Sequence, residues 1–169
     1  NSAYAAEIQF TENTAPTVSA VAINPATAYT NSTLNCSANF SDAQSDLLNV
    51  SFTWFNGSDS YSTTSRLNIA SASASQSFLL TAGIQAKNEK WNCSVNPYDG
   101  YENGTSSNAT VTISNTLPEI TTSVVLNLTS ATKTTAQINC SFNHSDADTE
   151  TLTDSFRWYV NNVFTGNTT

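Results

Sequence analysis

The sequence predicts an all-β protein built from repeated sandwiches of about 100 residues each. Three observations predict it. Apolar residues alternate with a period of two along many short runs, as half-buried strands require. Cys36 precedes Trp54 by 18 residues and Cys140 precedes Trp158 by the same 18, so the chain resembles itself at an offset of 104. A Cys…Trp…Cys order, Cys36, Trp54 and Cys93, falls inside one such repeat.

Taken in order, the runs near 17–24, 32–41, 49–56, 66–70, 76–80, 89–96 and 108–114 read as seven strands. In 32–41, Leu34, Cys36, Ala38 and Phe40 share one face. Val50, Phe52 and Trp54 share a face of the next run, Trp91, Cys93 and Val95 of the sixth, and Val111 and Ile113 of the last. Clusters of Gly, Pro, Asn, Asp and Ser punctuate the runs. No window has a convincing helical period; only Leu79 to Lys90 is long enough to hold a short helical turn. Seven such strands with Cys…Trp…Cys match an immunoglobulin-like sandwich, with a Cys36–Cys93 disulfide across the sheets and Trp54 against it. Trp158 is the corresponding core residue of the next repeat. Trp91, not Tyr, stands two residues before Cys93, so the tyrosine corner of antibody domains is absent.

The repeat divides the chain. Residues 1–12 read as the terminal strand of a preceding repeat, because Ile8 and Phe10 match Val111 and Ile113. Residues 13–115 read as one complete domain and 116–169 as the first half of a second. Asn13-Thr-Ala-Pro16 and Asn115-Thr-Leu-Pro118 mark the joints. Two explanations are open for residues 4–11: a window on a longer array, or a strand donated to another copy. Cys140, the odd cysteine, awaits the equivalent of Cys93; an intermolecular bond or a free thiol is the other possibility.

Charged residues make up 11% of the chain and the net charge is −8. The five basic residues, Arg66, Lys87, Lys90, Lys133 and Arg157, form no run, which argues against nucleic acid and against a polybasic membrane contact. No apolar stretch reaches the roughly 18–20 residues of a spanning helix. Paired cysteines point to an oxidising, extracellular setting.

Ser and Thr supply 50 of 169 residues and Asn 21. Twelve asparagines stand in N-x-S/T sequons: Asn31, Asn35, Asn39, Asn49, Asn56, Asn92, Asn103, Asn108, Asn127, Asn139, Asn143 and Asn167. Chance at this composition gives about six. Asn35, Asn39 and Asn92 alternate with inward-facing residues, as a glycan-bearing Asn must. Covalent N-glycans would solvate a surface poor in charge and shield its strand edges.

The loop after the second strand, Asp42-Ala-Gln-Ser-Asp46, returns as Asp146-Ala-Asp-Thr-Glu150, and Asp99 sits in a Pro-Tyr-Asp-Gly turn. Asp42, Asp46 and Asp99 are weak calcium candidates. The favoured reading is turn formation, with no metal and no cofactor, since Asp side chains bond their own backbone in such loops. The single His144 has no counterpart in the first repeat, and there is neither a nucleophile elbow nor a phosphate loop. Catalysis is not expected.

The NTAP joint, LNCS with FSDA, FTWFNG, WNCSVNPYDG (91–100) and SNATVTISNT (107–116) together resemble tandem Ig-like repeats of secreted or cell-surface archaeal and bacterial proteins, related in style to PKD and cadherin-like repeats. The resemblance covers 13–120 and recurs over 115–165. It implies an extracellular, multi-domain, often glycosylated stalk, fibre or adhesin. The family's acidic loop is degraded here to DAQSD and DADTE. The expected function is structural: an N-glycosylated fibre whose partners are neighbouring copies or repeats of itself. The alternative is an adhesin or receptor ectodomain, with Phe55, Tyr61 and Tyr101 as its contact residues.

Overall fold

The computed structural model describes residues 11–71, 75–128 and 136–168, and these hold strands and turns but no helix. Among them, therefore, no helix is long and apolar enough to cross a membrane. The chain forms two compact units, Asn1–Ser114 and Asn115–Thr169. Residues 1–10, which include Ile8 and Phe10, lie outside the described residues.

Among the described residues of the first unit, eight strands form two sheets. The strands are β1 (Thr17–Asn24), β2 (Ala28–Tyr29), β3 (Leu34–Ser41), β4 (Leu47–Asn56), β5 (Asp59–Ala70), β6 (Gln76–Leu80), β7 (Lys90–Tyr98) and β8 (Ser107–Ser114). One sheet runs β1-β3-β6 and the other β2-β8-β7-β4-β5. All pairings are antiparallel except β2 with β8.

The alternation in sequence becomes alternation in burial. Leu34, Cys36, Ala38 and Phe40 of β3 are buried, as are Leu48, Val50, Phe52 and Trp54 of β4, and Trp91, Cys93 and Val95 of β7. Together with Ile23, Leu80, Val111 and Ile113 they form one core. Phe40 and Phe52 meet edge-on across it, with ring centroids 6.3 Å apart. Cys36 and Cys93 are bonded, with Cα atoms 6.3 Å apart and a sequence separation of 57. Trp54 lies opposite Cys93 in the β4–β7 register and is fully buried. Its indole Nε1 is enclosed without a hydrogen-bond partner.

Two elements differ from the sequence reading. β5 begins at Asp59 rather than near residue 66, because it hairpins from β4 through Gly57-Ser58 and pairs along almost its whole length. Gly57 takes φ +61°, which the turn requires. Its first half, Asp59 to Ser65, is polar and edge-exposed, so it shows no apolar period. β2 is a two-residue parallel contact with no periodic signature. The Leu79–Lys90 stretch holds turns rather than helix.

The second unit comprises β9 (Glu119–Ile120), β10 (Val125–Leu128), β11 (Ile138–Ser141), β12 (His144–Ser145), β13 (Phe156–Val160) and β14 (Val163–Thr168). They form three separate pairs, β9–β12, β10–β11 and β13–β14. Their registers repeat those of the first unit. Ile120 faces His144 as Val18 faces Phe40, and Leu126 faces Cys140 as Ile23 faces Cys36. Trp158 faces Gly166 as Trp54 faces Ser62. Trp158, expected in a core, is half-buried; among the described residues of the second unit, no strand stands beside β13 as β7 stands beside β4.

Candidate functional site

The motifs singled out in the sequence converge on one end of the first unit, where they grip the joint preceding β1. Asp99 is the anchor. Its Oδ1 accepts hydrogen bonds from the backbone N–H groups of Tyr101 and Glu102, each at 2.7 Å. Its Oδ2 accepts one from Asn13 Nδ2 at 3.0 Å. Burial alone would raise this carboxyl. The hydrogen bonds from Glu102, Asn13 and Tyr101 outweigh burial and hold it below its ordinary value. Both oxygens of Asp99 thus already serve N–H donors, and its residue type is explained by the turn and the joint.

The same turn packs on Pro16, which is fully buried. Gly104 donates from its N–H to the Pro97 carbonyl at 2.9 Å, closing the loop. A Cβ on Gly104 would collide with the Pro16 carbonyl oxygen and come within 2.9 Å of Pro97 Cγ. Glycine is therefore required for close approach.

The Asp42 loop completes the clasp. Asp42 Oδ1 accepts from the N–H groups of Gln44 and Asp46, at 2.9 and 3.0 Å. That fold aims Gln44 Nε2 at the Glu12 carbonyl, 3.0 Å, and at Thr14 Oγ1, 3.2 Å. The second unit reuses the device. Asp146 Oδ1 accepts from Asp148 N–H at 2.7 Å, and Asp148 Oδ2 accepts from the Thr116 N–H at 2.6 Å. Ser45 and Thr149, at matching positions, both adopt left-handed φ, 63° and 58°. Gln44 and Asp148 differ in chemistry but do the same work: one donates to the joint, the other accepts from it.

Of the calcium candidates, Asp42 and Asp46 share a turn while Asp99 is committed to the joint. Among the described residues, one group of three carboxylates has oxygens within 4.8 Å of one another: Asp146, Asp148 and Glu150. Asp148 there is already bonded to the joint.

The sequons divide by environment. Asn31, Asn39, Asn103, Asn108, Asn127, Asn139 and Asn143 are exposed. Asn35, Asn49, Asn56 and Asn92 are half-buried. Asn49 Oδ1 accepts from Asn68 N–H at 3.1 Å, and Asn108 Nδ2 donates to Asn92 Oδ1 at 2.9 Å. Asn56 Nδ2 donates to Glu89 Oε1 at 2.9 Å. The side chain of Asn167 lies outside the described residues.

Glu89 was not legible as a structural residue in the sequence. Besides Asn56 it accepts from Ala86 N–H at 2.8 Å and from Trp91 Nε1 at 3.0 Å. Burial would raise its carboxyl, but these donors outweigh burial and hold it below the ordinary 4.5. The Trp-two-after-Glu spacing was its only signal.

Tyr61 and Tyr101 are 52% and 77% exposed, and Phe55 is half-buried. Tyr61 meets Trp91 edge-on at 5.2 Å. His144 Nδ1 lies 3.3 Å from Asp154 Oδ1. No protein-family model, no characterised protein and no solved structure shows significant similarity to the chain.

Proposed function

We propose that this chain is a segment of an extracellular, N-glycosylated fibre or stalk made of repeated immunoglobulin-like domains, and that it works by spanning distance rather than by catalysis. One observation carries the reading: both units hold their own leading joint with the same Asp-loop clasp and repeat the same strand registers. A leading segment pinned to its own unit by side chains, with proline in it, has restricted backbone freedom. Such joints suit an array that must hold its direction.

The strand order supports the immunoglobulin-like assignment. The β1-β3-β6 sheet corresponds to strands A, B and E, and β2-β8-β7-β4-β5 to A′, G, F, C and C′. The buried disulfide supports an oxidising compartment. Seven exposed sequons support a glycan coat, which would account for a surface with so few charges. The partners are neighbouring repeats or copies.

Expression through a glycosylating secretory host, followed by intact-mass measurement before and after enzymatic deglycosylation, tests the coat. Peptide mapping is expected to find glycans at exposed Asn39, Asn103 and Asn143 and none at Asn56, whose amide is held by Glu89. Unmodified asparagine at every exposed sequon would remove the glycan part of the proposal. The exposure of Tyr101 favours a second reading, adhesion through the loops: it requires Tyr101→Ala to abolish binding to a surface while leaving the fold intact.

A further inference from the structure

Among its described residues, the second unit carries an apolar face on which β11 pairs with β10 and β13 with β14. Its inward positions, matched to the buried positions of β3 and β4, are Ile138, Cys140, Phe142 and His144, and then Leu152, Asp154, Phe156 and Trp158. Ile138 is 53% exposed, and Cys140 is a half-buried free thiol. A cleft of about 450 Å³ opens on this face between Leu126, Cys140, Phe142 and Trp158.

This face is built as a core. In the first unit Phe40 packs edge-on against Phe52. In the second, position 144 is His, and the phenyl ring moves to position 142, where Phe142 packs edge-on against Phe156 at 5.5 Å. The aromatic pair is thus kept by exchanging which residue supplies it. The equivalents of Phe40 and Val50 are His144 and Asp154, which pair with each other at 3.3 Å, so covering them would bury a partnered pair. A surface meant for water has no need of either arrangement.

The first unit shows what covers such a face. There, β6 pairs with the edge of β3, β7 pairs with the edge of β4, and Cys93 of β7 bonds Cys36. Among the described residues of the second unit, β11 pairs with β10 and β13 with β14, and no further strand lies beside either.

We propose that the inner face of the second unit is a docking surface for one occupant: a strand set patterned like residues 75–114, carrying Trp-x-Cys, which adds one strand to β11 and one to β13 and bonds Cys140. The bond forms by thiol–disulfide exchange. A small-molecule or enzyme disulfide accepts two electrons and leaves as two thiols, taking up the two thiol protons, as the sulfur–sulfur bond to Cys140 closes. The proposal rests on the repeat reading, but on neither the glycan coat nor fibre formation.

The test appends to residues 1–169 a copy of residues 66–114, which continues the 104-residue offset. The protein is oxidised in a glutathione buffer, its free thiols are alkylated, and disulfides are mapped by mass spectrometry. The native chain is expected to show one alkylated cysteine, Cys140. The extended chain is expected to show none, with Cys140 joined to the appended copy of Cys93 and amide exchange slowed over 138–160. An extension copy bearing Trp91→Ser and Val95→Asp is expected to leave Cys140 alkylated. The proposal is overturned if Cys140 stays reactive beside the unaltered extension, or couples equally with the altered one. It is also overturned if the native chain alone forms a Cys140–Cys140 dimer with the same amide protection, since the occupant is then a second copy. Should the extension disturb the Cys36–Cys93 bond, residues 75–114 supplied as a separate peptide give the same two readouts. Neither readout depends on glycans or filaments, so failure here and failure of the fibre reading are separable.

Discussion

Replacing Glu89 with alanine removes the acceptor shared by three donors, Ala86 N–H, Asn56 Nδ2 and Trp91 Nε1. Trp91 is 1% exposed, so its indole N–H cannot turn to water once the carboxylate is gone. A stranded buried donor costs about 1–3 kcal/mol. Ala86 is exposed and recovers water, and Asn56 recovers part of its loss, so the expected total is about 2–3 kcal/mol. In urea, with a slope of about 1–3 kcal/mol/M, the midpoint should fall by about 0.7–3 M, read by tryptophan fluorescence. Glu89→Gln keeps a carbonyl acceptor and should cost roughly half as much. The pH dependence follows from the lowered carboxyl. The native state holds the charged form, so on acidification the unfolded chain takes up its proton first. The contribution is therefore complete above the ordinary value of 4.5 and is lost as pH falls through the lower native value. Asp99 has the same sign, so the diagnostic quantity is the gap between wild type and Glu89→Gln, which should narrow as pH falls below 4.5. An alanine variant within about 0.5 kcal/mol of wild type, or a gap indifferent to pH, would refute the carboxylate's role.

Removing the Cys36–Cys93 bond by paired alanine substitution reopens a 57-residue separation and should cost about 4 kcal/mol in chemical denaturation. Gly104→Ala forces a Cβ into the Pro16 carbonyl and should destabilise the first unit by about 1–3 kcal/mol, measured the same way. Asp99→Ala frees Asn13 and the Tyr101 turn; limited proteolysis should then cut residues 11–16 severalfold faster, with the Cys36–Cys93 core still intact.

The strand periods and the inward place of Trp54 were legible in the sequence because each is written as a local alternation with period two, and the Cys36–Cys93 bond was legible from the Cys…Trp…Cys order. A residue's place on an inward face follows from its neighbours at i±2, whatever the strand pairs with. The edge strand β5 was legible only in its second half, since a strand wet on both faces needs no apolar period and Asp59 to Ser65 show none. The acidic loops were visible as motifs, but their work was not. Spacing could suggest a cation for Asp42, Asp46 and Asp99; only the fold revealed that Asp99 spends both oxygens on N–H donors and that Gln44 and Asp148 reach back to a joint about 30 residues earlier. Trp54 and Trp158 are equivalent in sequence, yet one is fully buried and the other half-exposed. Inward direction is a property of the strand that carries a residue, whereas burial depends on what lies across from it. Sequence alone settled the first; tertiary structure decided the second, because the covering strands β6 to β8 come from a different part of the chain.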